Sequence, residues 1–327
     1  MKFATLKDGN LDGRLAVVSR DLSRAVFVPT IAPSLIVALQ RWAEVNQILQ
    51  RTYDALNSGV ADGAFDFDPA ACAAPLPRSP QWLDGSAFLN HGWLMERAFN
   101  TPPIPDFDTV PVMYQGASDD FLGPHDDVAL PSVDDGIDFE GEFGVICDEV
   151  PMAVTPDDAL SFVRLIVQIN DWSLRTLGPR EMRTGFGFLQ AKPSTAFAPV
   201  AVTPDELGSE WRDGRVHLRL HVRWNGERFG EPQGGEMNFN FGQLVAHAAR
   251  TRRLTAGSII GSGTVSNAAR EAGSACIAER RTIEKIDLGE IQTSFMKFGD
   301  HVRMQAKFED GRAGPFGAIE QRVVAAF

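Results

Sequence analysis

Asp138-Phe139-Glu140-Gly141-Glu142-Phe143-Gly144-Val145-Ile146 is the stretch on which the reading of the whole chain turns. From Phe143 it reads as a strand, with Phe143 and Val145 on one face. Residues two apart in a strand share a face, so Glu140 and Glu142 point the same way. Gly141 between them lets backbone or ligand approach closely. Two carboxylates about 4 Å apart repel by about 4 kcal/mol at an effective dielectric near 20. Water, a shared proton or a cation must relieve that repulsion. A solvated strand face is one reading of Glu-x-Glu; half of a hard-metal site, built from the oxygen ligands that Mg²⁺ and Ca²⁺ take, is the other.

Outward from this stretch, the chain has 327 residues, 44% of them hydrophobic and 23% charged. That suits a globular protein with a sizeable core and suggests one large domain with a smaller one attached. The net charge of −12 would repel a phosphate backbone, which argues against nucleic acid as a partner. Cys72, Cys147 and Cys276 are far apart and form no C-x-x-C, so buried free thiols are expected rather than disulfides or thiolate zinc. Lys7 and Asp8 interrupt the short apolar start, so no signal peptide is read. No uncharged apolar run approaches membrane-spanning length, so no membrane association is expected. A cytoplasmic, reducing setting is the simplest expectation.

Upstream, Leu15–Val18 and Ala25–Val28 read as strands, and Ser34–Asn57 as one amphipathic helix closed by Gly59. Residues 61–80 carry no period and read as a linker, with a domain boundary near residue 75. Pro102, Pro103, Pro105 and Pro111 mark a loop. Downstream, Thr155-Pro156 starts a short helix, and Leu165–Ile169 is a buried strand ending in Asn170-Asp171-Trp172-Ser173. Asp171 is either a turn cap or a ligand, since a buried acid needs a partner.

Val216–Trp224 alternates, with His217, Arg219, His221 and Arg223 outward; the arginines make that face cationic and unsuited to a metal. Asn225-Gly226 is a hairpin turn. Phe241–Arg253 reads as a helix with basic residues in its last turn. Gly261-Ser-Gly-Thr264 is a tight turn or a backbone cradle for an anion. From there to Phe327 the tail reads as strands.

In order and spacing, these pieces resemble the fumarylacetoacetate hydrolase family, closest to fumarylacetoacetase, from about Trp82 onward. The resemblance is carried by Asp84 seven residues before His91, Tyr114-Gln-Gly116, Glu140-Gly-Glu142, Asn170-Asp-Trp-Ser173 with Arg175, Lys192 followed by Thr195, and Gly261-Ser-Gly-Thr264. It implies an α+β, mostly β fold: a mixed β-roll catalytic domain over 76–327 behind a small β-rich N-terminal domain over 1–75 that also holds the long helix. It implies that Asp84, Glu140, Glu142 and Asp171 bind Mg²⁺, Ca²⁺ or Mn²⁺, with Lys192 and Thr195 marking a candidate second cation site. His91 would activate water, oriented by Glu279. Arg175 and Lys192 would stabilise negative charge, while Tyr114, Gly263 and Thr264 would line the pocket. A homodimer acting in aromatic-compound catabolism would follow.

The chemistry is consistent with that constellation. Hydrolysis of a carbon–carbon bond beside a carbonyl needs a water deprotonated near neutral pH, which suits histidine. It needs donors for the oxyanion and a divalent ion to hold enolate charge. A β-diketo acid such as fumarylacetoacetate or an acylpyruvate is the substrate class that can chelate and leave in this way. Ser86, Gly178 and Met182 depart from the family's substrate-holding pattern, so the reaction class is read more firmly than the substrate. The alternatives are a decarboxylase, isomerase or hydratase working through the same enolate, and a non-catalytic metal-stabilised protein that binds small acids.

Overall fold

The computed structural model describes residues 1–99 and 103–327, so the expected loop residue Pro102 lies outside the described residues. An eleven-stranded mixed sheet runs through the molecule. Its order is Phe65–Asp66, Arg24–Phe27, Arg14–Val18, Lys2–Leu6, Ala201–Val202, Val163–Asn170, Gly141–Cys147, Ile259–Gly261, Trp82–Gly85 and Met113–Gly116, with Ala196–Phe197 also pairing with Val163–Asn170. All pairs are antiparallel except Ile259–Gly261 with Trp82–Gly85. A second, five-stranded sheet holds Glu227–Gly230, Arg219–Trp224, His301–Lys307, Ile319–Ala325 and Val128–Leu130. The strand-rich α+β architecture is thus present. Among the described residues no helix is long and apolar enough to cross a membrane.

The large sheet separates two cores. Phe143, Val145, Cys147 and Ile166 face one; Trp82, Ile146, Leu165, Val167 and Ile169 face the other. The two-residue period then fixes which side the acids take. Asp84 follows Trp82, Glu142 precedes Ile146 by four, and Asp171 follows Ile169. All three emerge on the second face from the same end of neighbouring strands.

The N-terminal strands belong to this same sheet, because Lys2–Leu6 pairs with Ala201–Val202. No break in the sheet marks residue 75. The segment read as a linker is docked: Phe65–Asp66 pairs with Arg24–Phe27, and Thr5 Oγ1 donates to the Pro75 carbonyl at 2.6 Å.

Other local expectations change for identifiable reasons. The helix expected over 34–57 is two helices, Leu35–Gln40 and Trp42–Asn57, broken at Arg41 (φ −117°, ψ 25°). The break re-aims the buried face from Leu35 and Leu39 to Val45, Leu49, Tyr53 and Leu56. The Phe241 helix ends at Ala248, because the Ala249 carbonyl is taken by Ala153 N and Leu254 bridges to Val150. Its expected basic last turn therefore lies outside the helix.

Three helices were not anticipated: Leu89–Phe99, Ile277–Asp287 inside the supposed all-strand tail, and the short Gly178–Thr184. The first carries Gly92 in its interior, ordinarily a mark against a helix; a side chain there would strike the Phe107 ring at 2.4 Å. The second buries Ile277, Glu279 and Thr282, a face too polar to register as an apolar stripe.

Candidate active site

Asp84, Glu142 and Asp171 each offer an oxygen within 4.8 Å of the others, and all three are buried. Glycines let them converge. A side chain at Gly261 would lie 2.3 Å from Asp84 Oδ1, and Gly263, at φ +74°, would meet the Gly85 carbonyl at 2.2 Å. Gly263 N donates to Asp84 Oδ1 at 3.0 Å. The Gly261–Thr264 turn is therefore a backbone cradle whose anion is the protein's own Asp84.

Both Glu142 oxygens are buried without a hydrogen-bond partner among the described residues. Buried carboxylates in native proteins are hydrogen-bonded, paired or bound to metal. Burial raises the Glu142 carboxyl well above the usual carboxylate range, and Asp84, Asp171 and Glu140 push it further. Burial likewise raises Asp84, with Asp171 adding to the rise. Three all-oxygen ligands that repel one another and leave two lone oxygens fit a hard divalent cation.

Glu140 stands beside this group but outside it, because its oxygens are engaged. Oε1 accepts from Lys192 Nζ at 2.9 Å and Ser173 Oγ at 2.6 Å, and Arg175 Nη2 lies 2.8 Å away. Oε2 accepts from Thr264 Oγ1. Burial alone would raise Glu140; Arg175, Lys192, Ser173 and Thr264 outweigh it and hold the carboxyl below its ordinary value.

Asp171 accepts from Tyr114 Oη at 2.6 Å, Lys192 Nζ at 2.6 Å and Thr195 Oγ1 at 2.7 Å. Burial pulls the Lys192 ammonium down, but Asp171 and Glu140 more than compensate, so it stays charged. Tyr114, Gly263 and Thr264, expected as pocket lining, all hold carboxylates here. Thr195, expected near a second cation, donates to Asp171.

His91 lies on the Leu89–Phe99 helix and Glu279 on Ile277–Asp287, two helices packed together. His91 Nδ1 is 3.0 Å from Glu279 Oε2, and Glu279 is fully buried. Assigning the proton to Nδ1, the carboxylate fixes one tautomer and leaves Nε2 as a base.

Ser86 is half-buried, its N–H donating to Val112 O at 2.8 Å. Gly178 opens the Gly178–Thr184 helix, where an added Cβ would meet only Phe188 at 3.9 Å and Ala191 at 4.0 Å. Met182 is exposed on that helix. Phe188 stacks edge-on against Tyr114, ring centres 5.2 Å apart. A groove of about 580 Å³ lies elsewhere, lined by His217, Arg219, Arg228 and Glu231 among others. His221 of the alternating strand pairs with Glu231 at 3.2 Å.

Asp138 was not singled out from the sequence. It is fully buried and accepts from Arg175 Nε at 2.8 Å. Its position two residues before Glu140, on the same strand parity, was the available signal.

Comparison with known proteins finds family matches along nearly the whole chain. The family profile described as "Fumarylacetoacetate (FAA) hydrolase C-terminal" matches residues 81–324, and "Fumarylacetoacetase N-terminal domain 2" matches 1–78. A 2,4-didehydro-3-deoxy-L-rhamnonate hydrolase of Sphingomonas sp. (strain SKA58) is 33% identical over 165 residues, 50% of this chain and 54% of that protein. The mitochondrial oxaloacetate tautomerase Fahd2a of Rattus norvegicus is 26% identical over 157 residues, 47% of this chain and 48% of that protein. The chain spans about half the length of the curated relatives it matches. Among solved structures, maleylpyruvate hydrolase of Sphingobium sp. SYK-6, in complex with manganese(II) and pyruvate, superposes with a TM-score of 0.66 at 16% identity, covering 100% of both chains.

Proposed function

We propose that this chain, which belongs to the fumarylacetoacetate hydrolase family, is a divalent-metal-dependent hydrolase of the carbon–carbon bond in a β-diketo acid. The observation that carries the reading is the pairing of two features in one chain: an under-neutralised carboxylate cluster and a histidine held by a buried glutamate. Asp84, Glu142 and Asp171 would hold the ion, with Glu140 as the fourth carboxylate beside them. Mg²⁺, Mn²⁺ or Ca²⁺ suits the oxygen donors. When bound, the ion supplies Lewis-acid stabilisation of enolate charge.

The chain's own groups supply the rest. His91 Nε2 takes the proton of the attacking water, and Glu279 steadies the imidazolium that forms. Lys192, charged at neutral pH, offers its remaining donor capacity to an oxyanion. Arg175 is committed to Asp138 and Glu140, so its contribution runs through the position of Glu140. The homodimer and the cytoplasmic setting belong to the same proposal. Exposed Phe186 and Leu189 support the first, since a second copy would cover them; three free, buried cysteines support the second.

The oxaloacetate tautomerase among the relatives favours a second reading, in which the same site moves a proton on an enol without cleaving a bond. A panel of acylpyruvates, fumarylacetoacetate and oxaloacetate, assayed with Mn²⁺ and with EDTA, separates the two. Hydrolysis predicts release of two acids from a diketo acid, dependent on metal and on His91. Enol–keto conversion of oxaloacetate with no cleavage across the panel would replace hydrolysis by tautomerisation.

A further inference from the structure

Asp138 lies where the two halves of the site meet. Its strand, Ile137–Asp138, pairs with Ser173–Leu174, with Asp138 opposite Ser173. Its carboxylate turns the other way, to the start of the helix that carries Glu279. Oδ1 accepts from Ile277 N at 2.7 Å and Oδ2 from Ala278 N at 2.9 Å. Oδ2 also accepts from Arg175 Nε, and Arg175 Nη2 reaches Glu140 Oε1. Glu140 in turn shares Lys192 with Asp171. One fully buried carboxylate thus touches both the ion-pair chain that leads to the cluster and the helix whose third residue holds His91.

A cap for the helix alone would not need this arrangement. The cap residue is Cys276, whose Sγ accepts from Glu279 N at 3.3 Å. A thiol is a weak acceptor and leaves the amides of Ile277 and Ala278 to find another. A serine or asparagine could serve an amide, but neither would also balance a guanidinium shared with Glu140.

We infer that Asp138 is a positioning residue that fixes the carboxylate cluster and the His91–Glu279 pair relative to one another, through Arg175 on one side and the Ile277–Asp287 helix on the other. The inference deepens the proposed function and rests on its metal site. In Asp138→Asn the amide nitrogen must face either the Ile277 N–H, in place of Oδ1, or both the Ala278 N–H and Arg175 Nε, in place of Oδ2, donor against donor, and either way Arg175 loses the opposing charge. Both halves loosen together.

The test uses the full chain in three forms: unaltered, Asp138→Asn and Glu284→Gln. Glu284 holds the far side of the same helix, accepting from Gln292 N at 2.8 Å and Thr293 N at 2.9 Å, whereas the ion pairs of Arg175 go to Asp138 and Glu140. Two readouts are independent of turnover: the Mn²⁺ dissociation constant by electron paramagnetic resonance, and, in metal-free protein, the ¹⁵N shifts of the His91 ring, assigned by their loss in His91→Ala. Asp138→Asn is expected to weaken Mn²⁺ about tenfold, as loss of a group supporting metal ligands does, and to move the ring from one tautomer to a mixture. Glu284→Gln is expected to lower the melting temperature and move neither readout. A folded Asp138→Asn that shifts one readout without the other, or neither, overturns the inference. If that variant does not fold, Arg175→Lys takes its place, since a single ammonium cannot reach Asp138 and Glu140 as a fork; His91 shifts that stay put in it overturn the coupling. Unaltered protein that binds no Mn²⁺ would instead overturn the metal reading beneath it.

Discussion

Glu140 and Glu142 are two residues apart, on one strand face and both buried, yet they sit in opposite electrostatic situations. Glu140 is surrounded by Arg175, Lys192, Ser173 and Thr264 and is held ionised. Glu142 faces Asp84 and Asp171 with no partner for either oxygen. Five buried carboxylates, with Asp138 included, share two cations: Arg175 pairs with Asp138 and Glu140, Lys192 with Glu140 and Asp171, and among the described residues neither forms an ion pair with Asp84 or Glu142. The protein has neutralised one half of its site with its own side chains and left the other half for something positive from outside. Net acidity alone teaches little; the location of the missing charge is what makes a cation the fitting ligand.

The largest expected effect falls beyond both glutamates, on the proposed base His91. His91→Ala should lower turnover on a cleaved substrate on the order of 10²–10⁴-fold while leaving Mn²⁺ affinity unchanged. A parallel loss of affinity would mean that His91 belongs to the metal site. The next largest effect is on stability and tests the contrast directly. Glu140→Gln leaves Arg175 and Lys192 under-paired in a buried place and should cost about 3–5 kcal/mol by denaturant titration. Glu142→Gln removes a repelled charge, so in EDTA it should raise the melting temperature by a few degrees. Equal signs for the two variants would erase the distinction.

The pH dependence of the metal-free protein sharpens the same contrast. Glu142 and Asp84 have folded values raised above the unfolded carboxylate range near about 4. The folded state therefore holds protons that the unfolded state has released, and their contribution, full below about pH 4, is lost as pH rises through their folded values. Glu140 is depressed, so its contribution is present above about pH 4 and lost as pH falls further. Melting curves in EDTA should show stability declining on both sides, and Glu142→Gln should flatten the alkaline side alone. Thr195→Ala should have the smallest effect, about 1 kcal/mol from one lost hydrogen bond to Asp171, measured as a shift in denaturation midpoint.

The contrast also explains what the sequence disclosed. The strand periods at Phe143–Ile146 and Leu165–Ile169 were legible; that Trp82–Gly85 is a strand as well, and that Asp84, Glu142 and Asp171 share a face, comes from the sheet. The family resemblance supplied Glu279 as the partner of His91. What was illegible is the pair of helices that bring those two together. Gly92 disguises one, and the other turns Glu279 and Thr282 inward instead of an apolar stripe. The different engagement of Glu140 and Glu142 was equally hidden, because Arg175 and Lys192 stand 35 and 52 residues from Glu140 and nothing in Glu-Gly-Glu says which glutamate they choose. Asp138 was visible only as a residue of the right parity; its partners Ile277 and Ala278 come from 139 and 140 residues away.

A Mn²⁺ titration of the metal-free protein, followed by electron paramagnetic resonance, tests the central claim most directly. The account predicts one tightly held ion per chain, with affinity lowered on the order of 100-fold in Glu142→Gln and preserved in His91→Ala. Binding that is absent, or that survives Glu142→Gln unchanged, would contradict it.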